Sequence, residues 1–468
     1  MTTILWFRRD LRLSDHAALT AACAAGPVVA VFIRDATVDQ LGAAPAWRLG
    51  LALEHLAQAL AARGQRLILR SGRAEQVLAE LVAEVDAKRI YWTRCYDPQS
   101  RERDTEIKSR FRAKGIDVRS FGGTVLFEPT TVETKTGGPY KVFSPYWKTV
   151  KTRDVDAPLP EPGKIPPPET WPESANLADW ALGARMRRGA DVVRAYLHPG
   201  ETAAQNRLAE FAGDSIALYH QRRDLPAVDG TSGLSEYLTY GEISPHQCWH
   251  AGLRAREEHS QGAEAFLREL AWRDFATHLM VHWPDMLDSN WRAGWDNFAW
   301  REDESLPEVI AWQQARTGVP LVDAGLREMY VTGRMHNRVR MVVASYLTKH
   351  MLVHWRIGQR WFGECLTDWD AASNAMGWQW VAGSGPDAAP YFRVFNPESQ
   401  AKKFDPKGAY VRRWIAEGQA NPPATARAYF DAIPRSWNIT PGDLYPAPVV
   451  GLDAGRKRAL LAYENRGF

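Results

Sequence analysis

Over the first 120 residues, five short apolar runs alternate with amphipathic stretches, and that repetition leaves few architectures open to the chain. The runs Thr3–Phe7, Pro27–Ile33, Gln65–Leu69, Arg89–Trp92 and Ile116–Phe121 read as strands. Between them apolar residues recur at helical spacing, most clearly over Trp47–Arg63. There Leu49, Leu53, Leu56 and Leu60 form one stripe and Gly64 supplies a stop. Strand, helix and strand in repetition predict a parallel sheet covered on both faces, because parallel neighbours need crossover connections that lie across the sheet. Neither a Gly-x-Gly-x-x-Gly nor a Walker loop follows the first strand, so this architecture assigns no nucleotide by itself.

The pattern then changes. Seven prolines fall between Pro158 and Pro172, and such a stretch continues neither a helix nor a central strand. From about Gly200 onward the patterns are helical. The expected organisation is an α/β domain with a five-stranded, Rossmann-like parallel sheet over 1–130, an inter-domain linker over 131–199, and a mainly helical domain over 200–468. At 468 residues there is room for two or three domains and a cofactor. Four cysteines, Cys23, Cys95, Cys248 and Cys365, stand far apart without a Cys-x-x-Cys pair, which speaks against a disulfide framework and a zinc site and for a reducing, cytoplasmic setting. Ile4–Phe7 is too short for a signal-peptide core, and no run reaches a membrane span. The net charge of +3 says little, but Tyr330–Ile415 holds 12 Lys/Arg against 6 Asp/Glu, a possible polyanion footprint.

Several segments group chemistry-bearing side chains. Gly230–Leu238, GTSGLSEYL, sets three hydroxyls and two glycines before a helical pattern; helix-start amides with Thr231, Ser232 and Ser235 suit a phosphate, although an ordinary hydroxyl-capped turn has the same composition. In ELAWRDF, Glu269, Trp272 and Arg273 share a helical face, as functional groups or as a solvated pair. MHNRVRM places Asn337 and Met341 one turn apart beside Arg340, on a helix expected to continue through Met351 and to bury an amide against something polar. Asp370, Asn374 and Trp378 are each four apart, while Trp380 points away from Trp378. His278/His282 and His350/His354 are i, i+4 pairs without the intervening carboxylate of a metalloprotease motif, and packing or surface roles suit them better. Gly383–Ala388 formally matches Gly-x-Gly-x-x-Ala, but Pro386 interrupts it and it reads as a loop. Of the 20 tryptophans, 14 lie from Trp249 onward, and for most of them a core role suffices.

Taken in order, WFRRDLRLSDHAAL, TSGLSEYL, ELAWRDF, TGRMHNRVRM, DWDAASNAMGWQW and APYFRVFNP resemble the photolyase/cryptochrome family over essentially the whole chain. The resemblance implies an N-terminal antenna-binding domain and a helical domain holding U-shaped FAD, active as reduced FADH⁻. By position it implies Tyr219, Thr231, Ser232, Gly233, Leu234, Ser235, Arg273, Arg340, Asp368, Trp369, Asp370 and Asn374 as FAD contacts, with Arg340 able to pair with Asp368 and Asn374 opposite flavin N5. It further implies UV-damaged DNA as partner, met by Arg223, Trp272, Asn337, Met341, Trp380, Gln400 and Lys403, and a monomer associated with the nucleoid when bound to DNA.

Glu269, Trp272, Asn337, Met341 and Trp380 match the substrate cavity of the family's class I cyclobutane pyrimidine dimer enzymes at all five positions. Enzymes for (6-4) photoproducts carry His at positions 337 and 341, and plant cryptochromes tend to carry Asp where Asn374 stands. Light-dependent dimer splitting is therefore expected, with a blue-light sensor without repair as the alternative. Glu269 and Asn337 are the implied catalytic contacts, and Trp378, Trp355 and Trp300 the implied electron path that reduces FAD, ending at an exposed Trp300. Two departures stand out. Glu236 replaces a Pro or small residue and is expected to point outward. Gln99 and Ser100 replace an Asn-Glu pair of some folate-binding relatives, which speaks against methenyltetrahydrofolate as the antenna and leaves 8-hydroxy-5-deazaflavin, another pterin mode or an empty site open.

Overall fold

The computed structural model describes residues 1–258, 260–387 and 392–468. The loop reading of Gly383–Ala388 thus falls partly, and the APY of APYFRVFNP wholly, outside the described residues. The chain forms two compact units, each assembled from separate stretches: Met1–Ala184 with His198–Ala217 and Ser232–Pro284, and Arg185–Leu197 with Leu218–Thr231 and Asp285–Phe468. These units cut the chain at other places than 130 and 200.

In the first unit the five apolar runs become β1 (Thr2–Phe7), β2 (Val28–Arg34), β3 (Leu67–Ser71), β4 (Ala87–Thr93) and β5 (Asp117–Phe121). All pairings are parallel, in the order β3-β2-β1-β4-β5. β1 lies central because Ile4, Leu5, Trp6 and Phe7 are apolar to both sides and buried to both sides. Helices α1 (Ala17–Ala25), α2 (Ala43–Ala61), α3 (Ala74–Glu84) and α4 (Pro98–Ala113) connect the strands. Ile4, Trp6 and Ile90 pack with Val77, Leu78 and Leu81 of α3 and with Ile107 and Phe111 of α4 in one core. Helix α4 starts where Asp97 accepts from the Ser100 amide at 2.8 Å with Pro98 in the first turn. Helix α2 begins a turn before the expected Trp47, because Pro45 sits in a first turn that needs no N–H from it. Gly64, at φ +70°, follows its end.

The stretch 131–199 is more than a tether. It carries α5 (Phe143–Val150), whose Phe143, Tyr146 and Val150 are buried. The Pro-rich part has neither helix nor strand, yet it is tied to the sheet: the Pro166 carbonyl accepts from Val28 and the Ile165 carbonyl from Gln65. The unit closes with α6 (Ser235–Tyr240) and α7 (Ser260–His282). Helix α6 stops at Gly241, φ +69°, where a Cβ would come within 2.1 Å of the Arg9 carbonyl oxygen; that close approach seats α6 on the loop after β1.

Glu236 of α6 does not point outward. It is 1% exposed and pairs with Arg48 of α2, whose guanidinium also meets Glu242 and lies 4.9 Å from the Tyr240 ring. The Gly200 amide donates to Glu242 at 2.7 Å. A buried cation between two carboxylates brings Glu236 inward, since each charge would be far costlier in the interior alone.

The second unit is helical. Helices α8 (Pro320–Thr332), α9 (Asn337–Ser345), α10 (Trp355–Cys365), α11 (Ala371–Ala382) and α12 (Pro397–Phe404) carry its candidate residues. Leu326, Met329, Val342, Val343, Trp355, Phe362 and Trp378 belong to one core. Helix α9 ends sooner than the expected Met351, giving way to a π turn over Tyr346–His350. No strand follows β5 among the described residues.

Candidate functional site

The first unit contributes Ser232–Ser235 and the ELAWRDF face of α7. Gly233 has φ +66°, and a Cβ there would meet Arg207 Nε at 2.9 Å; Arg207 itself donates to the Ser232 carbonyl at 2.8 Å. The segment is thus a glycine turn braced from behind by a guanidinium, leading directly into the first amides of α6. On α7, Trp272 stacks on Phe143 of α5 with centroids 3.6 Å apart and planes 10° off parallel, so one indole face is fixed by packing. Arg273 donates to the carbonyls of Thr124, at 2.6 Å, and Leu238, at 3.4 Å. Asp274, next along, is buried and accepts from Leu126 and Phe127; burial raises its pKa to about 6. In the antenna segment, Ser100 is buried and Gln99 is exposed.

The second unit holds the larger share. Arg340 of α9 donates from Nη2 to both oxygens of Asp368, at 2.9 and 2.8 Å, which realises the expected pair. Asp370 caps α11 by accepting from Ser373 at 2.8 Å. Asn374, one turn on, donates from Nδ2 to the Gln359 carbonyl of α10 at 3.0 Å, leaving its Oδ1 as the acceptor end. Asn337 is not the buried amide expected; it is exposed as the first residue of α9, where a helix start leaves its side chain outside. Met341, one turn further, is half-buried. Arg223 lies 5.4 Å over the Tyr219 ring. Gln400 and Lys403 stand on α12, and Lys403 is exposed.

The tryptophans separate as their spacing requires. Trp378 is 3% exposed, while Trp380 is half-buried and donates to the Asp387 carbonyl at 3.0 Å. Trp378 lies against Phe362, 4.9 Å, and Trp312, 6.2 Å, over Gly358, where a Cβ would come within 2.0 Å of its ring. Trp355 is fully buried and donates to Asn290 at 2.8 Å. Between Trp355 and Trp300 stands a ring that the implied electron path does not include, His354, with centroids at 5.4 and 4.9 Å. Trp300 is half-buried, stacks on Trp295 at 5.4 Å and donates to the Thr348 carbonyl of the π turn. His354 and Gly358 both lie in the segment HWRIG, so a Gly inside a helical pattern beside a His was the available signal.

Two family models match this chain: DNA photolyase over residues 3–164 and the FAD binding domain of DNA photolyase over residues 266–465. The deoxyribodipyrimidine photo-lyase of Agrobacterium fabrum is 43% identical over 468 residues, covering 98% of this chain and 97% of that protein. The chain belongs to the photolyase/cryptochrome family. The crystal structure of a bacterial class III photolyase from Agrobacterium tumefaciens is similar at a TM-score of 0.91 and 42% identity, covering 100% of this chain and 98% of that one. Cryptochrome-2 of Arabidopsis thaliana is 32% identical, covering 97% of this chain and 77% of that protein. The α/β sheet unit and the helical region are thus the photolyase fold, and the helical region is its FAD-binding domain.

The residues present fit FAD. A glycine turn with hydroxyls before helix amides suits a diphosphate, a carboxylate–guanidinium pair suits a polar ring edge, and the Asn374 Oδ1, turned away from Gln359 and without a hydrogen bond among the described residues, suits a ring N–H.

Proposed function

We propose that this protein splits cyclobutane pyrimidine dimers in DNA under blue light, with FAD as cofactor. The observation that carries the reading is the set Glu269, Trp272, Asn337, Met341 and Trp380, which matches the dimer-repairing branch at every position and lacks the His residues of the (6-4) branch. The proposal covers class I, expected from the sequence, and class III, the class of the similar Agrobacterium tumefaciens photolyase, alike.

In this reading Tyr219, Thr231–Ser235, Arg273, Arg340, Asp368, Trp369, Asp370 and Asn374 hold FAD. Bound there in its reduced form, FAD would supply the light-driven one-electron chemistry that opens the dimer with no net redox change. The protein's part is to flip the dimer out of the duplex and hold it. Trp272 and Trp380 form apolar walls, the first already stiffened by Phe143. An amide N–H of Asn337, and Glu269 when its carboxyl is protonated, donate hydrogen bonds that favour the negatively charged dimer over the neutral one. No side chain acts as a nucleophile. Arg223, Gln400 and Lys403 meet the backbone, a contact that positions DNA without reading its bases. Trp378, Trp355 and Trp300 form the path by which FAD is reduced beforehand. An antenna, methenyltetrahydrofolate or 8-hydroxy-5-deazaflavin, belongs to the sheet domain; Ser100, buried where some folate-binding relatives carry a ligand residue, weighs against their mode of binding.

The test is the absorption spectrum of the purified protein followed by incubation with UV-irradiated DNA in light and darkness. Bound FAD with dimer loss in light alone supports repair. Flavin photochemistry without dimer loss identifies a sensor, and turnover of a nicotinamide in darkness identifies a nicotinamide-dependent flavoenzyme that needs no light.

A further inference from the structure

Arg338 is the charged residue of α9 that the FAD assignment leaves unused, and its surroundings are unusual for a guanidinium. Its Cζ lies 4.5 Å from the centre of the Phe404 ring on α12, and the Lys403 ammonium lies 5.1 Å from the same ring. A single phenyl therefore carries two cations. Its quadrupole partly offsets their mutual repulsion. Arg338 Nη2 donates to Asp224 Oδ2 at 2.7 Å, Nη1 meets only the Met341 sulfur at 3.9 Å, and the buried Nε has no hydrogen-bond partner among the described residues. A guanidinium normally engages an anion through two parallel N–H groups. Here one carboxylate oxygen and a soft sulfur take up a fraction of that capacity. The side chains of Arg338 and Asp224 are 20% and 34% exposed, so the pair is open to exchange with an outside anion.

We propose that Asp224 is a built-in competitor for the DNA phosphate at Arg338: it occupies the anion position in the free protein and must be displaced when a phosphate engages Arg338 beside Lys403. The inference rests on the reading that this face takes DNA. Its consequence is restraint of non-specific affinity. Arg338 is kept stretched over Phe404, ready for a phosphate, but its charge is already neutralised. Each encounter with a DNA backbone therefore breaks one ion pair to make another, and the gain at this position is small. Asp224 follows Arg223 directly, so the sequence places an acid beside a residue of the DNA footprint.

The experiment compares the wild-type protein with Asp224→Asn, Arg338→Met, Lys403→Met and the Asp224→Asn/Arg338→Met double variant. Binding of an undamaged fluorescent duplex is measured by anisotropy between 50 and 200 mM salt, about the range over which phosphate contacts are strongly screened. Asp224→Asn is expected to bind roughly two- to fivefold tighter at the low-salt end, the range of one exposed ion pair. Its log–log salt slope should steepen by about 0.9, one further phosphate neutralised. Arg338→Met should erase that gain in the double variant. Unchanged or weaker binding by Asp224→Asn with an unchanged slope, while Arg338→Met or Lys403→Met still weakens binding, would overturn the competitor role alone. If none of the four variants alters affinity or slope, this face does not meet DNA and the underlying reading fails with it.

Discussion

Replacing Gly358 by alanine should cost this protein both stability and the placement of Trp378. Gly358 lies inside α10, where alanine is ordinarily favoured over glycine by about 1 kcal/mol. The added Cβ, however, would stand 2.0, 2.4 and 2.6 Å from three ring carbons of Trp378. Nonbonded carbons pack at roughly 3.5 Å, so the ring must move by more than an ångström. It has little room to do so, because Phe362 and Trp312 pack against it and it is 3% exposed. Overpacking of this kind costs about 1–3 kcal/mol and occasionally more, and with the ring held on both sides the upper end applies, so a net loss of about 2 kcal/mol is expected after the helix-propensity gain. Urea unfolding followed by near-UV circular dichroism measures it, with Gly377→Ala as the control. Gly377 lies in α11 with nothing within 4 Å of an added Cβ, and its replacement should be neutral or stabilising. In the FAD-loaded protein Gly358→Ala should also slow flavin reduction under blue light with a thiol, as Trp378→Phe should, while repair by chemically pre-reduced enzyme persists. A Gly358→Ala protein as stable as the wild type would mean that the ring has space that the packing denies it, and the expectation would fall.

Arg48→Met should lower stability by about 3–5 kcal/mol, since it leaves Glu236 and Glu242 buried without their cation; a loss under about 1 kcal/mol in denaturant titration would mean that the carboxylates find other partners. Burial holds His278, His336, His350 and His354 down to about 4, so the unfolded chain binds more protons from about pH 6.5 to 4 and stability falls on acidification. Asp274 and Glu328, raised by burial to about 6 and about 7, oppose this by holding protons in the native state. A net uptake of roughly two protons, or about 2.7 kcal/mol per pH unit at the steepest, is therefore expected between about pH 6 and 4.5, and a flat stability profile there would count against it. Trp272→Ala should weaken binding of dimer-containing DNA by about 1–3 kcal/mol and leave undamaged DNA almost unaffected; equal loss for both would contradict a pocket role.

The sheet was legible because its inner strands β1 and β2 are dense apolar runs buried on both faces, and such a signal lies within a few consecutive residues. The pairing of Arg340 with Asp368, 28 residues apart, came through resemblance and not through spacing. Glu236 shows the opposite case. Read locally, a carboxylate in a first turn belongs in water; its partner Arg48 is 188 residues away, and nothing in the neighbouring sequence announces it. The exposure of Asn337 was lost for a similar reason, since helical spacing assigns a face but not the residue at which the helix begins. Phe143 was hidden by its setting. It lies in a stretch whose prolines suggested a tether, and its stacking on Trp272 depends on tertiary packing alone. Gly358 and His354 were visible as letters, but their meaning, space for one indole and a ring between two others, exists only after α11 packs on α10 and Trp300 packs against His354.

Whether Glu269, Trp272, Asn337, Met341 and Trp380 make this chain a dimer-splitting enzyme is decided by the number of lesions removed per absorbed photon. Chemically reduced, FAD-loaded protein is mixed with one oligonucleotide carrying a single thymine cyclobutane dimer and another carrying a single (6-4) photoproduct. Both are followed by chromatography through graded doses of blue light and in matched darkness. Intact thymines should accumulate in proportion to dose from the first substrate alone, none in darkness, and Glu269→Ala should give a lower yield per photon at equal FAD content. An unchanged cyclobutane dimer after saturating light, with FAD bound and the oligonucleotide in complex, would contradict the assignment.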